Sequence, residues 1–367
     1  MISELELENF KCFKELRIGN LKTFNIISGK NNFGKTSILD AIFAFHDVKN
    51  PACLLNIQGF RRESPLKNKG VPFWVNCFKD MNTDSKIKIS IIDDDLKIVQ
   101  EYSTKNELSR RSTLSLNIES VVSSPSRQTV NAVNNELAIS MYSVDKNDRK
   151  NDILKIGITA KDPEITANIN IIQNKSRKPY DLKTATMITT SKKINKDATI
   201  TNVSTLLTQK KKEDLISILK KIDDRISDIV IAADKNEKEI YLDIGMNELT
   251  EISMLGEGVG RALAFISSIL VGKNAIILID EIENGIHFSV IKDIISALIL
   301  SAKSNNNQIF TTTHSNDVIN AINNIENKNE DISYVRLGRD KKTSEPIATQ
   351  FDMDEFSYSI ENGWEVR

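Results

Sequence analysis

The feature that most narrows the fold is a junction near the start of the chain. Phe24-Asn25-Ile26-Ile27 is an apolar, strand-like run, and it leads into Gly29-Lys30-Asn31-Asn32-Phe33-Gly34-Lys35-Thr36. Ser37 follows, then Ile38, Leu39, Ile42 and Phe45 at helical spacing. Strand, glycine-rich loop and helix in this order predict an α/β fold, with the loop at the carboxyl edge of a parallel sheet. Gly29 and Gly34 let the backbone turn sharply, so that successive N–H groups converge on one anion. The helix N-terminus adds partial positive charge at the same point. Lys35 is placed to reach β- and γ-phosphates, and the Thr36 hydroxyl to complete a Mg²⁺ shell. Asn31, Asn32 and Ser37 belong to the same loop and first helical turn. The expected ligands are ATP and Mg²⁺.

A second run, Ile276 to Ile279, is wholly apolar and ends in Asp280-Glu281. This pattern predicts a central buried strand with two carboxylates at its ligand-binding edge. Asp280 is the candidate metal support, and Glu281 the candidate base that orients or deprotonates the attacking water. Thr36 and Asp280 lie 244 positions apart. That is far more than a compact P-loop kinase needs, so a large insertion is expected between them. Before the acidic pair, Gly256, Gly258 and Gly260 crowd the start of an apolar helix and form a second candidate phosphate site. One nucleotide does not readily need both, so the economical arrangement is a head-to-tail dimer. In it, the Gly256–Gly260 loop caps the γ-phosphate held by its partner's Gly29–Thr36 loop. A bulky residue at Gly258 is then expected to impair dimer closure more than folding of the isolated chain. A fourth part, Asn307 to Ser315, reads as a strand ending in Thr312-Thr313-His314, with His314 placed to sense the γ-phosphate.

These parts together give the chain a resemblance. "LELENFKCFKELRI" leading into "GKNNFGKTS", then "LGEGVGRAL", "LIDEIENGIH" and "TTTHS", resemble the ABC-type ATPases of the SMC/RecF/OLD group. The likeness is strongest to OLD-like AAA-family ATPases of bacterial phage-defence and abortive-infection systems, and it extends to the ending "ENGWEVR". The resemblance implies that Lys35 and Thr36 are Walker A, Asp280 the Walker B aspartate and Glu281 the catalytic glutamate. It makes Glu283 to His287 the D-loop, His314 the switch histidine and Leu255 to Val259 the signature. Gly256 stands where the signature usually has a serine, so backbone N–H groups must replace its hydroxyl. No Q-loop glutamine is settled among Gln58, Gln128 and Gln173. Full-length OLD proteins carry a nuclease after the ATPase; only 53 residues follow His314 here. The implied assembly is therefore a nucleotide-gated homodimer, or a higher oligomer, acting on a separate effector such as a nuclease.

Between the motifs the chain is less explicit. Lys86 to Tyr102 reads as a β-hairpin, with Asp93-Asp94-Asp95 at its turn and their carboxylates in water. The expected division is an N-terminal lobe over 1–104, a mostly β insertion over 105–185 and a C-terminal lobe over 186–367. Residues 170–221 carry twelve Lys or Arg against four Asp or Glu. Nucleic acid is thus a candidate partner there, although such runs are commonly solvated faces. Arg61-Arg62 is a weaker candidate of the same kind. The whole chain is near neutral, with 49 Lys plus Arg against 50 Asp plus Glu, which argues against a protein that coats nucleic acid all over. Its three cysteines form no C-x-x-C pair, so no zinc site is indicated. With no apolar run long enough for a membrane span, the expected location is cytoplasmic. Two rivals remain at this level: a RecF-like DNA-repair ATPase, and a scaffold that binds ATP without hydrolysing it.

Overall fold

The computed structural model describes residues 1–50, 52–59, 73–104, 115–118, 136–161, 164–171, 180–189, 196–234 and 237–363. They fall into two compact units, and the chain passes repeatedly between them. One comprises 1–20, 36–182 and 338–348; the other comprises 21–35, 183–337 and 349–367. Elements are numbered along the chain.

The first unit is built on an eight-stranded sheet. Its strands are β1 (Ile2–Phe10), β2 (Phe13–Ile18), β4 (Ile87–Asp93), β5 (Leu96–Ser103), β6 (Ser115–Ile118), β7 (Glu136–Val144), β8 (Lys150–Lys161) and β9 (Glu164–Ile171). The order is β2-β1-β4-β5-β7-β8-β9-β6, antiparallel throughout. The strands expected of an insertion therefore pair directly onto β5 and extend the sheet begun by β1 and β2. Alternation in β1 places Leu5 and Leu7 in the core, as a half-buried strand requires. The 86–102 hairpin forms as read, with Asp94 and Asp95 at φ +49° and +65° in its two-residue turn. Asp93 departs from the reading: it is buried and accepts a hydrogen bond from the Tyr180 hydroxyl at 2.9 Å. Helix α1 (Lys35–His46) begins in the glycine-rich loop, and α2 (Cys53–Gly59), which carries Gln58, follows. Lys11, in the β1–β2 turn, forms an ion pair with Asp40, a fully buried residue of α1. This fixes the turn to the helix; breaking such a pair from one side is costly.

The second unit contains a six-stranded sheet in the order β10-β14-β15-β3-β16-β17. The strands are β3 (Phe24–Gly29), β10 (Ala185–Ile188), β14 (Ile276–Ile279), β15 (Gln308–Thr312), β16 (Ile332–Arg339) and β17 (Pro346–Phe351). From β10 to β16 every pairing is parallel. β14 and β15 are buried along their whole length; β14 therefore reads as a continuous apolar run rather than an alternating one, whereas β15, sequence QIFTT, buries Gln308, Thr311 and Thr312 beside Ile309 and Phe310. β10, sequence ATMI, carries no such signal. A three-stranded sheet of β11 (Asp228–Asp234), β12 (Glu237–Asp243) and β13 (Thr250–Glu251) completes the strands.

The helices of this unit are α3 (Lys196–Thr208), α4 (Lys212–Leu219), α5 (Glu257–Val271), α6 (Phe288–Asn305), α7 (Asn316–Asn323), α8 (Lys328–Asp331) and α9 (Met353–Glu361). Leu263, Phe265, Ile266 and Ile269 of α5 share one core with Leu298 of α6 and Leu215 and Leu219 of α4. Buried amides organise the strand ends. Asn307 accepts from the Ala275 N–H at 2.9 Å and donates to the Ile269 and Gly272 carbonyls at 2.9 and 3.0 Å. One side chain thus ties the end of α5 to the starts of β14 and β15. Among the described residues, no helix is long and apolar enough to cross a membrane.

Candidate nucleotide site

Because β14, β15, β3 and β16 run parallel, their carboxyl ends lie on one edge. β3 delivers the glycine-rich loop to that edge, β14 delivers Asp280-Glu281, and β15, between them, delivers Thr313-His314. Residues scattered over almost 300 positions meet because the strand order interleaves early and late segments.

The loop turns at Gly29, φ +138°, at Asn32, φ +65°, and at Gly34, φ +93°. Asn31 and Asn32 are exposed. Gly29 has a second reason to be glycine. A Cβ there would sit 2.5 Å from the Leu337 carbonyl oxygen of β16, so the loop leaves the sheet in a gap that no side chain fits. Lys35 opens α1 and is buried; its Nζ donates to the Gly29 carbonyl at 2.6 Å and to the Lys30 carbonyl at 3.1 Å. The ammonium is thereby curled over the loop. Thr36 and Ser37 follow in the first turn of α1. Ser37 is hydrogen-bonded with Cys12, whose thiol is pushed up mainly by burial.

Asp280 is buried at the end of β14, where its N–H donates to the Ile188 carbonyl of β10 at 2.9 Å. Glu281 adopts φ +52°, an uncommon left-handed conformation for a non-glycine residue. Thr312, fully buried, explains how the turn is held. Its hydroxyl donates to Asp280 Oδ1 at 2.7 Å and accepts from the Glu281 N–H at 2.8 Å, while its carbonyl accepts from the Ile282 N–H at 3.1 Å. One residue of β15 therefore holds both carboxylate-bearing positions. Sequence reasoning passed over Thr312 in favour of His314. The available signal was a hydroxyl inside a strand expected to be buried, since a buried hydroxyl needs a partner.

Beyond Thr312, His314 is half exposed, and its Nδ1 lies 2.9 Å from Glu283 Oε1. The same oxygen accepts from the His314 backbone N–H at 2.8 Å. His287, the other histidine of this region, caps α6: its Nδ1 accepts from the Ser289 N–H.

The second glycine-rich start divides into two environments. Gly256 caps α5 at φ +93°, and a Cβ there would meet open space. Gly258 faces inward: a Cβ would lie 2.3 Å from the Gly285 carbonyl oxygen. A bulky residue at Gly258 therefore burdens the fold of the single chain as well as any closure. The position is a backbone-to-backbone contact between the start of α5 and the 283–287 segment, and any side chain there displaces that segment.

Arg61-Arg62, Gln128, Gln173 and the end of "ENGWEVR" lie outside the described residues, as do 172–179 and 190–195 of the basic segment. In the part described, Lys196 pairs with Glu239 and Lys212 with Asp228, while Lys211 donates to the Leu270 carbonyl at 3.0 Å. These three lysines make contacts within the fold.

The chemistry of the edge suits a polyphosphate. It combines loop amides at a helix N-terminus, a buried ammonium, a buried carboxylate, a second carboxylate and an imidazole. Among the described residues, no group of three or more His, Cys, Asp or Glu could hold a metal by itself. A Mg²⁺ that takes few protein ligands and completes its shell with phosphate and water is compatible with a donor set of one hydroxyl and one aspartate.

The chain is 26% identical over 343 residues to a Helicobacter pylori protein described as an ATP/GTP phosphatase; the match covers 87% of this chain and 86% of that protein. Its fold is similar to that of an SMC head crystallised with the C-winged helix domain of ScpA. The TM-score is 0.50 at 13% identity, over 96% of this chain and 98% of the other. Residues 1–319 match the family model described as AAA ATPase domain. The chain belongs to this AAA ATPase domain family and is an ATPase with an α/β fold like that of SMC heads.

Proposed function

We propose that the chain hydrolyses ATP in a nucleotide-gated head-to-tail dimer. The observation that carries this reading is the meeting of the Gly29–Lys35 loop, Asp280, Glu281 and His314 at one edge of a parallel sheet. In this reading, backbone N–H groups of the loop and Lys35 bind the β- and γ-phosphates. Thr36 and Asp280 would hold Mg²⁺, which supplies charge neutralisation on the phosphate oxygens when bound. Glu281 takes the proton of the attacking water. The new bond joins that water's oxygen to the γ-phosphorus, and the bond to the β,γ-bridging oxygen breaks, releasing ADP and phosphate. His314 contacts the reacting end, and the exposed Gly256 turn caps the partner's nucleotide. The setting in antiphage defence, with a separate effector, rests on the resemblance of the four motifs to the OLD-like group.

The test compares phosphate release and mass by light scattering in wild type and Glu281→Gln. The reading requires turnover by wild type, and a non-hydrolysing variant that dimerises in Mg-ATP. A variant that traps ATP and stays monomeric removes the dimer and leaves the site. The Helicobacter pylori relative supports a second reading, a phosphatase that accepts both ATP and GTP. Equal phosphate release from the two nucleotides favours it, and strict ATP preference excludes it.

A further inference from the structure

We infer that Glu283 is a positioning residue: its carboxylate holds His314 with the ring proton on Nδ1, leaving Nε2 as the nitrogen that meets the reacting end of the nucleotide. The inference rests on the proposed ATPase site but not on the dimer.

The geometry leaves little freedom. Glu283 Oε1 takes two hydrogen bonds from the same residue, from the His314 N–H at 2.8 Å and across 2.9 Å from Nδ1. The backbone bond fixes where the carboxylate sits relative to β15. The ring bond then fixes which nitrogen can face it. A carboxylate oxygen beside a ring nitrogen requires a proton on that nitrogen, because two acceptors cannot bond each other. The nitrogen that a partner occupies decides the role of the other one. Glu283 is itself well covered, and its Oε2 is buried with no hydrogen-bond partner among the described residues. Its carboxylate is therefore committed to His314 rather than shared with a neighbouring cation.

The consequence for chemistry is specific. In a neutral His314 with its proton on Nδ1, Nε2 is a lone-pair acceptor. It can accept from a water or hydroxyl, and it meets a phosphate oxygen as a donor only after a second proton is added. The same contact links two parts of one protomer. Glu283 begins the 283–287 segment, whose Gly285 carbonyl lies against Gly258 at the start of α5. A shift of that segment therefore moves the carboxylate that sets His314.

The tautomer is read directly by long-range ¹H–¹⁵N correlation spectra of the full-length protein at about pH 8.5, roughly two units above the ordinary imidazole value. The chain has three histidines, and His314→Asn assigns the signal. The expected spectrum places the His314 proton on Nδ1. Glu283→Gln, which keeps an acceptor oxygen, retains it; Glu283→Ala loses it. In turnover, Glu283→Ala lowers kcat about ten- to a hundredfold, the usual size for loss of such a supporting partner, with KM for ATP within about threefold. Glu283→Gln restores most of kcat, and Glu283→Ala adds nothing in the His314→Asn background. A proton on Nε2 in wild type overturns the inference, as does a tautomer unchanged by Glu283→Ala or a loss that adds to His314→Asn. If Glu283→Ala fails to fold, the wild-type spectrum alone decides. A wild-type protein that releases no phosphate removes the proposed function and leaves the tautomer result standing.

Discussion

Replacing Thr312 by Val removes one hydroxyl from a fully buried position while keeping the side chain's shape. Two hydrogen bonds are lost, the one donated to Asp280 at 2.7 Å and the one accepted from the Glu281 N–H at 2.8 Å. A bond to a charged group contributes ~1.5–3 kcal/mol and a neutral one ~0.5–1.5 kcal/mol, so the local cost is about 2–4.5 kcal/mol. At about 1.4 kcal/mol per factor of ten, that speeds amide exchange in the 279–283 segment by roughly thirty- to a thousandfold or more, the range set by those two bonds. Deuterium uptake measured by mass spectrometry on a peptide covering that segment reads it without needing a single unfolding transition. Both carboxylates lose an anchor, so kcat at saturating Mg-ATP falls at least about tenfold. Thr312→Ser separates the hydroxyl from packing: it keeps both bonds and loses a buried methyl, a cost of about 1 kcal/mol. It should retain kcat within about threefold. Exchange and kcat in Thr312→Val both within threefold of wild type would refute the reasoning, because Thr312 would then be no more than a space-filling residue.

Lys35→Ala should abolish tight ATP binding, since the loop loses its buried ammonium; normal affinity by calorimetry in the folded variant removes that assignment. Glu281→Gln keeps shape and removes the base, so ATP should bind and persist; turnover at the wild-type rate, followed by phosphate release, sinks the catalytic role. Gly258→Ala places a Cβ 2.3 Å from the Gly285 carbonyl, an overlap expected to cost about 1–3 kcal/mol; an unchanged melting temperature shows that the segment gives way freely. Gly29→Ala meets the Leu337 carbonyl at 2.5 Å in a backbone conformation hostile to side chains, so it should impair both folding and nucleotide binding, and wild-type ATP affinity by calorimetry counts against it.

The motifs that read clearly from sequence are those whose chemistry is local. A glycine-rich loop between an apolar strand and a helix must turn where Gly29 and Gly34 allow it. A fully apolar run such as Ile276–Ile279 must be buried on both faces. Helix α5 and the 86–102 hairpin were legible for the same reason: periodicity and turn chemistry act over a few residues. The tertiary structure decided what depends on neighbours distant in the chain. It placed β15 between β3 and β14, so that Thr312 reaches Asp280 and Glu281 and His314 reaches Glu283. It made Gly29 and Gly258 glycines of close approach, to Leu337 and Gly285, where the sequence offered only phosphate binding as their reason. It recruited the weak strand β10 beside β14 and joined the strands after β5 to the sheet of β1. Each of these is a long-range pairing, fixed by which backbone edge and which buried hydrogen-bond partner are available once the sheet has formed; a single sequence records the groups that need partners, and the fold alone decides which partners they meet.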